Sequence, residues 1–127
     1  MAWGLGPFAK YEGNPILKPT SEGWESHALY NPTACTDGEE VFLLYRAEGP
    51  CDFPGRSFTS RVGLATSRDG IHFERWDQAV MGPTESYEAP GGCEDPRLVK
   101  IGETFYLTYT AYDGKVDSRL GLALGPV

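Results

Sequence analysis

The sequence predicts an all-β protein built from repeated antiparallel strands, and three observations support this. Sixteen Gly and ten Pro divide the 127 residues into short segments, and no long stretch keeps the apolar period of an amphipathic helix. The segments between these breaks are rich in β-branched and aromatic residues, which favour strands. In addition, part of the chain repeats at a fixed spacing, which is typical of stacked sheets.

Two turn signals separate the predicted strands. Asp69-Gly70 and Asp113-Gly114 are dipeptides that favour tight hairpin turns between strands. The strand-like segments, in chain order, are EVFLLYRAE (40–48), SRVGLATS (60–67), IHFERW (71–76), ETFYLTYTAY (103–112) and SRLGLAL (118–124).

The internal repeat has a spacing of 64 residues. NPTACTDGEEVFLLYRA (31–47) aligns with DPRLVKIGETFYLTYTA (95–111), with identical Pro, Gly, Glu, Leu, Tyr and Ala. SRVGLA (60–65) aligns with SRLGLA (118–123) at a spacing of 58, so the loop between the matched segments is six residues shorter in the second copy. Matching strands with a variable loop are typical of propeller blades, each of which is a four-stranded sheet.

The expected architecture is therefore an unclosed part of a β-propeller. About two four-stranded antiparallel blades fit the chain, at 25–90 and 91–127, and the second is incomplete. Two blades cannot close a ring, so strand edges and an apolar flank need to be covered. We expect a homo-oligomer with an interface above roughly 1,000 Å².

The composition restricts the classes of partner and location. Eleven Lys and Arg against 18 Asp and Glu give a net charge of −7, which disfavours non-specific binding to nucleic acid or an anionic membrane. We expect no membrane span and no signal peptide, because the chain lacks the apolar runs that both require. Cys35, Cys51 and Cys93 have no C-x-x-C spacing, so we expect reduced thiols and a cytoplasmic location. His27 and His72 are too few and too widely spaced for a zinc site.

GGCEDPRLVK (91–100) contains the strongest candidate for a catalytic residue. Asn31 and Asp95 occupy the same position of the repeat, each directly before a proline. Proline favours an extended conformation for the residue before it, which would hold both side chains at the start of an inner strand. In a propeller these positions converge on the central axis. Partial burial there suits a general acid. The alternative is that Asp95 belongs to a solvated turn.

Two arginines outside this stretch are candidates for substrate contact. The repeat aligns Arg46 with Thr110, so the fold does not require an arginine there, and Arg46 either binds substrate or lies on the surface. Arg61 recurs as Arg119, which also fits a structural role such as an ion pair between strands.

Glu94 and Arg97 flank Asp95 in the sequence. Arg97 is expected to supply positive charge around the site together with Arg46. Glu94 directly precedes Asp95, and strand alternation should turn it to the opposite face, unless the glycines at 91 and 92 introduce a bulge. We expect Glu94 to have a supporting role at most, such as pairing with an arginine.

Five segments, taken in order, resemble glycoside hydrolase family 130. The resemblance implies a five-bladed β-propeller and the activity of a β-mannoside phosphorylase or mannosidase. The segments are NPILKP (14–19), YNPTA (30–34), LLYRAE (43–48), SRVGLATSRDGIHFE (60–74) and GCEDPRLVKIGETFYLTYTAYDG (92–114).

The resemblance also implies residue roles. Asp95 would be the general acid of an inverting reaction, passing its proton through a sugar hydroxyl while inorganic phosphate attacks the anomeric carbon. Asn31, Arg46, Arg61 and Arg97 match positions that line the sugar site, and Glu94 is placed with them in support. Members of the family are longer, and their later blades carry the basic residues and histidines that hold phosphate.

Three functions remain open from the sequence. The first is an enzyme acting on a β-mannoside oligosaccharide, with no cofactor, inorganic phosphate as possible co-substrate, and this chain contributing the general-acid part of the site. The second is a non-catalytic carbohydrate-binding or assembly module. The third is a structural β-protein with idle motif residues. Phosphate and water both remain possible nucleophiles.

Overall fold

The computed structural model describes residues 4–126, which form seven strands and no helix, so the predicted all-β class is confirmed. Because residues 4–126 contain no helix, no helix in this range could cross a membrane. The predicted strand over 71–76 is reduced to two residues. The strands are β1 (Ala28–Thr36), β2 (Val41–Pro50), β3 (Phe58–Ser67), β4 (Glu74–Arg75), β5 (Gly92–Ile101), β6 (Thr104–Tyr112) and β7 (Ser118–Pro126).

The strands form one open sheet in the order β1-β2-β3-β5-β6-β7, with β4 paired to β3. We call β1–β4 the first unit and β5–β7 the second unit. All pairs are antiparallel except β3 and β5, which meet in parallel through Ser60 and Gly92 alone. The expectation of two separate sheets is therefore wrong. The units join because the backbone of Gly91-Gly92 approaches β3 closely, and the Ser60 N–H donates to the Gly91 carbonyl at 3.0 Å.

The repeated tyrosines make the same contacts in both units. Tyr45 donates a hydrogen bond to Glu25 at 2.9 Å, and Tyr109 donates one to Glu88 at 2.6 Å. Each ring lies against the glycine paired with it on the next strand, where a Cβ atom would overlap the ring. These glycines are Gly63 and Gly121. The identical Tyr and Gly positions of the sequence repeat therefore preserve one packing arrangement.

Two apolar cores cover the two faces of the first unit. The core between the units contains Leu44, Val62, Cys93, Leu107, Tyr109 and Ala111. The core on the outer face of the first unit contains Tyr45, Ala47 and Ala65, packed against Leu17, Trp24, Leu29 and Phe73. The second unit thus covers one face of the first, while residues before β1 and after β3 partly cover the other.

Removal of the Tyr109 hydroxyl should destabilise the fold in a pH-dependent way. Burial opposes the charge of Glu88, but hydrogen bonds from Tyr109 and the N–H groups of Thr84 and Glu85 hold the pKa of Glu88 below its ordinary value. A lowered pKa stabilises the fold above about pH 4.5, and this stabilisation is lost as the pH falls through the folded-state value. We expect Tyr109→Phe to lower the free energy of unfolding by about 1–3 kcal/mol at neutral pH.

Urea unfolding at pH 7 and pH 3 tests this prediction. The difference between wild type and Tyr109→Phe should be smaller at the lower pH, because protonation of Glu88 removes the charge that the Tyr109 hydroxyl stabilises in the folded state. Tyr106→Phe is the matched control, because the Tyr106 hydroxyl has no hydrogen-bond partner within residues 4–126. An equal loss at both pH values would contradict the link to Glu88.

Candidate functional site

Asn31 and Asp95 adopt the same unusual backbone conformation. Their φ angles are +50° and +51°, and the register of the strand pair shifts at both positions. The extended conformation expected before proline is therefore wrong at both sites. Each residue lies in a β-bulge, and Asn and Asp are among the non-glycine residues that most often adopt the left-handed region. The two bulges redirect side chains that an unbroken strand would hold at right angles to the sheet.

The bulges bring Asn31 and Asp95 together, as the repeat predicted. Asn31 Nδ2 donates to Asp95 Oδ1 at 2.6 Å, and Arg46 Nη1 lies 3.3 Å from the same oxygen. Asp95 Oδ2 has no hydrogen-bond partner within residues 4–126, and the Asp95 side chain is 35% exposed. One carboxylate oxygen is thus fixed by two donors, and the other is free to meet a ligand.

Arg46 is the centre of a cluster of three carboxylates. Its Nη2 lies 2.9 Å from Glu48 Oε1 and 3.0 Å from Glu94 Oε1, in addition to the contact with Asp95. Its guanidinium carbon lies 4.7 Å from the centre of the Tyr30 ring, a favourable cation–π distance. We call Arg46, Glu48, Glu94 and Asp95 the Arg46 cluster. These contacts fix the guanidinium from several directions.

Glu94 and Asp95 both face Arg46. The prediction from strand alternation that Glu94 and Asp95 lie on opposite faces is therefore wrong. The bulge at Asp95 turns both side chains toward the same guanidinium. Ser60 Oγ also donates to Glu94 Oε1 at 3.1 Å. Burial, and secondarily the Asp95 charge, raise the pKa of Glu94, while Arg46 and Ser60 oppose the rise. The structure therefore pairs Glu94 with an arginine.

Arg97 does not contact Asp95. Its side chain is exposed, and Nη1 donates to the carbonyl of Pro96 at 2.7 Å. Within the described part of the chain, the arginine that lies within hydrogen-bonding distance of Asp95 is therefore Arg46 and not Arg97.

Arg61 lies away from the Arg46 cluster. Its neighbour Ser60 points toward Arg46, with Ser60 Oγ 3.0 Å from Nε, and adjacent strand residues point to opposite faces. Arg61 instead lines a cavity of about 220 Å³ beside Cys51 and Pro90. The suggested ion pair between strands is not seen for Arg61 among residues 4–126. Its repeat counterpart Arg119 pairs with Asp117 at 2.9 Å.

The sequence analysis missed Glu48 and Ser60 as site residues, and it missed the contact between Tyr30 and Arg46. Glu48 lies two positions after Arg46 on the same strand and therefore shares its face, a signal that the segment RAE contained. Ser60 is paired with Glu48 in the β2–β3 register, and Tyr30 is paired with Arg46 in the β1–β2 register. Neither pairing could be read without the register of the sheet.

Comparison with known proteins gives one consistent result. A family model for glycoside hydrolase family 130, described as β-1,4-mannooligosaccharide phosphorylase, matches residues 8–123. A 1,2-β-oligomannan phosphorylase from Thermoanaerobacter sp. strain X514 is 40% identical over 114 residues, covering 86% of this chain and 38% of the relative. A β-1,2-mannobiose phosphorylase from the same organism is 36% identical over 121 residues, covering 87% of this chain and 40% of the relative.

A solved structure supports the same assignment. The crystal structure of a glycosyl hydrolase from Bacteroides ovatus has a TM-score of 0.86 and 34% identity, covering 98% of this chain and 40% of that chain. The chain thus spans about two fifths of the length of these relatives. Because the family model matches most of its residues, the chain belongs to glycoside hydrolase family 130.

Proposed function

We propose that this chain carries the general-acid part of a site that cleaves β-1,2-linked mannosides by an inverting mechanism, with Asp95 as the acid. The observation that supports this most is the asymmetry of the Asp95 carboxyl group. Oδ1 accepts from Asn31 and lies near Arg46, while Oδ2 is without a partner in the described residues. A carboxyl group held at one oxygen can present a proton at the other in a fixed direction.

In the proposed reaction, Asp95 donates its proton through a sugar hydroxyl to the glycosidic oxygen. The bond between that oxygen and the anomeric carbon breaks, and a phosphate oxygen attacks the same carbon from the opposite face. The products are α-mannose 1-phosphate and the shortened oligosaccharide. Arg46 then stabilises the Asp95 carboxylate that remains. The reaction needs no cofactor, with inorganic phosphate as the co-substrate.

The supporting residues have separate proposed roles. Asn31, whose side chain is exposed, orients Asp95 and contacts the sugar. Glu94 and Glu48 hold Arg46 in place. Arg97 is exposed two residues after Asp95 and is available to a sugar hydroxyl or to phosphate. Arg61 faces away from the Arg46 cluster, so a role for it in substrate binding requires a substrate that reaches the cavity beside Pro90.

We also propose that the two units, at 25–90 and 91–127, are blades of a propeller that has five blades in the complete arrangement. The shared Tyr, Gly and Glu contacts of the two units support this. A cytoplasmic location is proposed because Cys35, Cys51 and Cys93 are all unpaired, as expected in a reducing compartment.

Incubation of the chain with β-1,2-mannobiose and inorganic phosphate tests the function. Phosphorus NMR should detect α-mannose 1-phosphate, and β-1,4-mannobiose should react more slowly. Release of free mannose without loss of phosphate would identify water as the nucleophile, as the name of the Bacteroides ovatus relative suggests. If neither product forms, the proposed catalysis by this chain is wrong.

A non-catalytic carbohydrate-binding module is the second candidate. The observation that favours it is that this chain matches only about two fifths of the length of its relatives. Groups needed for turnover would then lie in the part of the relatives that this chain does not match. Titration of the chain with β-1,2-mannobiose by calorimetry separates the candidates, because binding without product supports the module.

A further inference from the structure

We propose that Arg56 supplies a second positive charge to the Arg46 cluster and positions Glu94 within it. Arg56 belongs to the loop of residues 51–57, which joins β2 to β3, and we call this loop the Arg56 loop. The inference rests on the proposed function, in which Arg46 holds one oxygen of Asp95. Arg56 is a positioning residue in that site, because it acts there through Glu94.

The Arg56 loop lies at the end of the sheet that carries the site. β3 begins directly after this loop, and β3 meets β5 in parallel through the pair Ser60 and Gly92. Both strands therefore begin at the same end of the sheet. Ser60 lies near the beginning of β3, and Glu94 and Asp95 lie near the beginning of β5. The Arg56 loop borders the Arg46 cluster as a result.

Arg56 contacts the second unit at the junction of β3 and β5. Its Nη2 donates to the Gly91 carbonyl at 3.3 Å. Its guanidinium carbon lies 5.1 Å from the centre of the Tyr112 ring, within cation–π distance. The Gly91 carbonyl also accepts from the Ser60 N–H at 3.0 Å, and a carbonyl oxygen can accept two such bonds. Arg56 and Ser60 therefore hold the same carbonyl group.

Ser60 connects this junction to Glu94. While its N–H binds Gly91, its Oγ lies 3.1 Å from Glu94 Oε1. Arg56 and Glu94 are thus joined through one buried serine. The Glu94 side chain is only 10% exposed, so little water screens its charge from a nearby guanidinium. Burial raises the pKa of Glu94, and the Arg56 charge is among the effects that oppose this rise.

The Arg46 cluster carries more negative than positive charge. Arg46 contributes one positive charge against the three carboxylates of Glu48, Glu94 and Asp95. Excess negative charge favours proton uptake by a carboxylate, and protonation of Glu94 would weaken its ion pair with Arg46. A second guanidinium nearby reduces this excess. The titratable and charged groups around Glu94 are Tyr30 of β1, Arg46 and Glu48 of β2, Arg56 of its loop, and Cys93 and Asp95 of β5.

The internal repeat indicates that the fold does not require Arg56. The loop between the matched segments is six residues shorter in the second copy, and residues 112–117 contain no arginine. β6 and β7 nevertheless pair from Thr104 to Tyr112 of β6. The longer loop of the first copy is the one that reaches Gly91 beside the site. A role in the site therefore explains Arg56 better than a role in strand pairing does.

Carbon NMR of chain with ¹³C-labelled glutamate carboxyl groups tests the proposal without depending on turnover. The signal that disappears in Glu94→Gln identifies Glu94. Arg56→Gln removes the charge but keeps an N–H donor for the Gly91 carbonyl, so the loop should keep its place. In this variant Glu94 should titrate at a pH higher than in the wild type by about half a unit or more. Arg56→Lys keeps the charge and should stay close to the wild-type midpoint.

Arg68→Gln is the matched control, because it changes the net charge by the same amount. Arg68 is 88% exposed and lies 3.6 Å from Glu40, outside the Arg46 cluster, so its substitution should leave the Glu94 midpoint unchanged. Equal midpoints in the wild type and Arg56→Gln would overturn the proposal. An equal rise in Arg56→Gln and Arg68→Gln would also overturn it, since the effect would then come from net charge alone.

Turnover of β-1,2-mannobiose separates a positioning role from a purely structural one. In Arg56→Gln the acid limb of kcat/KM against pH should move upward together with the Glu94 midpoint, because Glu94 must be charged to hold Arg46. An equal loss of kcat/KM at every pH would contradict the positioning role. If the wild-type chain forms no product, the proposed function is wrong, and the Glu94 midpoint alone then decides the role of Arg56.

Discussion

Asp95→Asn should lower turnover of β-1,2-mannobiose by roughly 10²–10⁴-fold, the contribution typical of a positioned acid. The substitution removes the transferable proton but keeps the size and shape of the side chain. The amide oxygen can still accept the hydrogen bond that Asn31 donates at 2.6 Å. We therefore expect KM and the calorimetric affinity for the sugar to change little, so that the loss appears in kcat.

The repeat indicates that asparagine suits position 95. Asn31 occupies the matching position before proline with a φ of +50°, against +51° for Asp95, so the substitution introduces no backbone conformation that asparagine does not already adopt here. Asp117→Asn is the matched control, because Asp117 is an exposed carboxylate outside the Arg46 cluster. Wild-type kcat in Asp95→Asn, or an equal loss in both variants, would show that Asp95 is not the acid.

The sequence predicted those strands and contacts that depend on a short local segment or on the internal repeat. β2, β3, β6 and β7 follow from short apolar segments bounded by turn residues, and the structure places them within a few residues of the predicted bounds. The proximity of Asn31 and Asp95 could also be predicted, because the repeat assigns them the same position. These predictions needed only the period of a strand and the spacing of the repeat.

The conformation of Asp95 could not be predicted, because tertiary contacts override a local preference. Proline disfavours α conformations of the residue before it, and from this rule the sequence suggested an extended strand. The contacts of Asp95 with Asn31 and Arg46 come from other strands, so they compete with that preference only once the sheet has formed. The predicted orientation of Glu94 was wrong for the same reason, because the true orientation depends on the β-bulge at Asp95.

Gly92→Ala should lower the free energy of unfolding by about 2–6 kcal/mol. Gly92 has a φ of +124°, which side-chain-bearing residues rarely adopt, at a cost of about 1–3 kcal/mol. A Cβ atom at this position would also overlap the backbone carbonyl oxygen of Ser60. Backbone atoms cannot rotate away as a flexible side chain can, so the strands must separate, at a further cost of about 1–3 kcal/mol.

The effect of Gly92→Ala should extend to both the core and the site. Gly92 and Ser60 form the single parallel pair that joins the two units within residues 4–126, and Ser60 Oγ contacts both Arg46 and Glu94. Separation of β3 from β5 therefore opens the core between the units and draws Ser60 away from Glu94. We expect faster amide hydrogen exchange in β3 and β5, together with a lower urea midpoint.

Substitutions at two other glycines separate the cost of backbone strain from the cost of steric overlap. Gly102 has a φ of +59°, and a Cβ atom added there would meet no other atom within 4 Å, so Gly102→Ala should cost about 1–2 kcal/mol from strain alone. Gly125 has open space and no positive φ, and Gly125→Ala should stay within about 0.5 kcal/mol of the wild type. If Gly92→Ala costs no more than Gly102→Ala, the close approach at Ser60 does not hold the two units together.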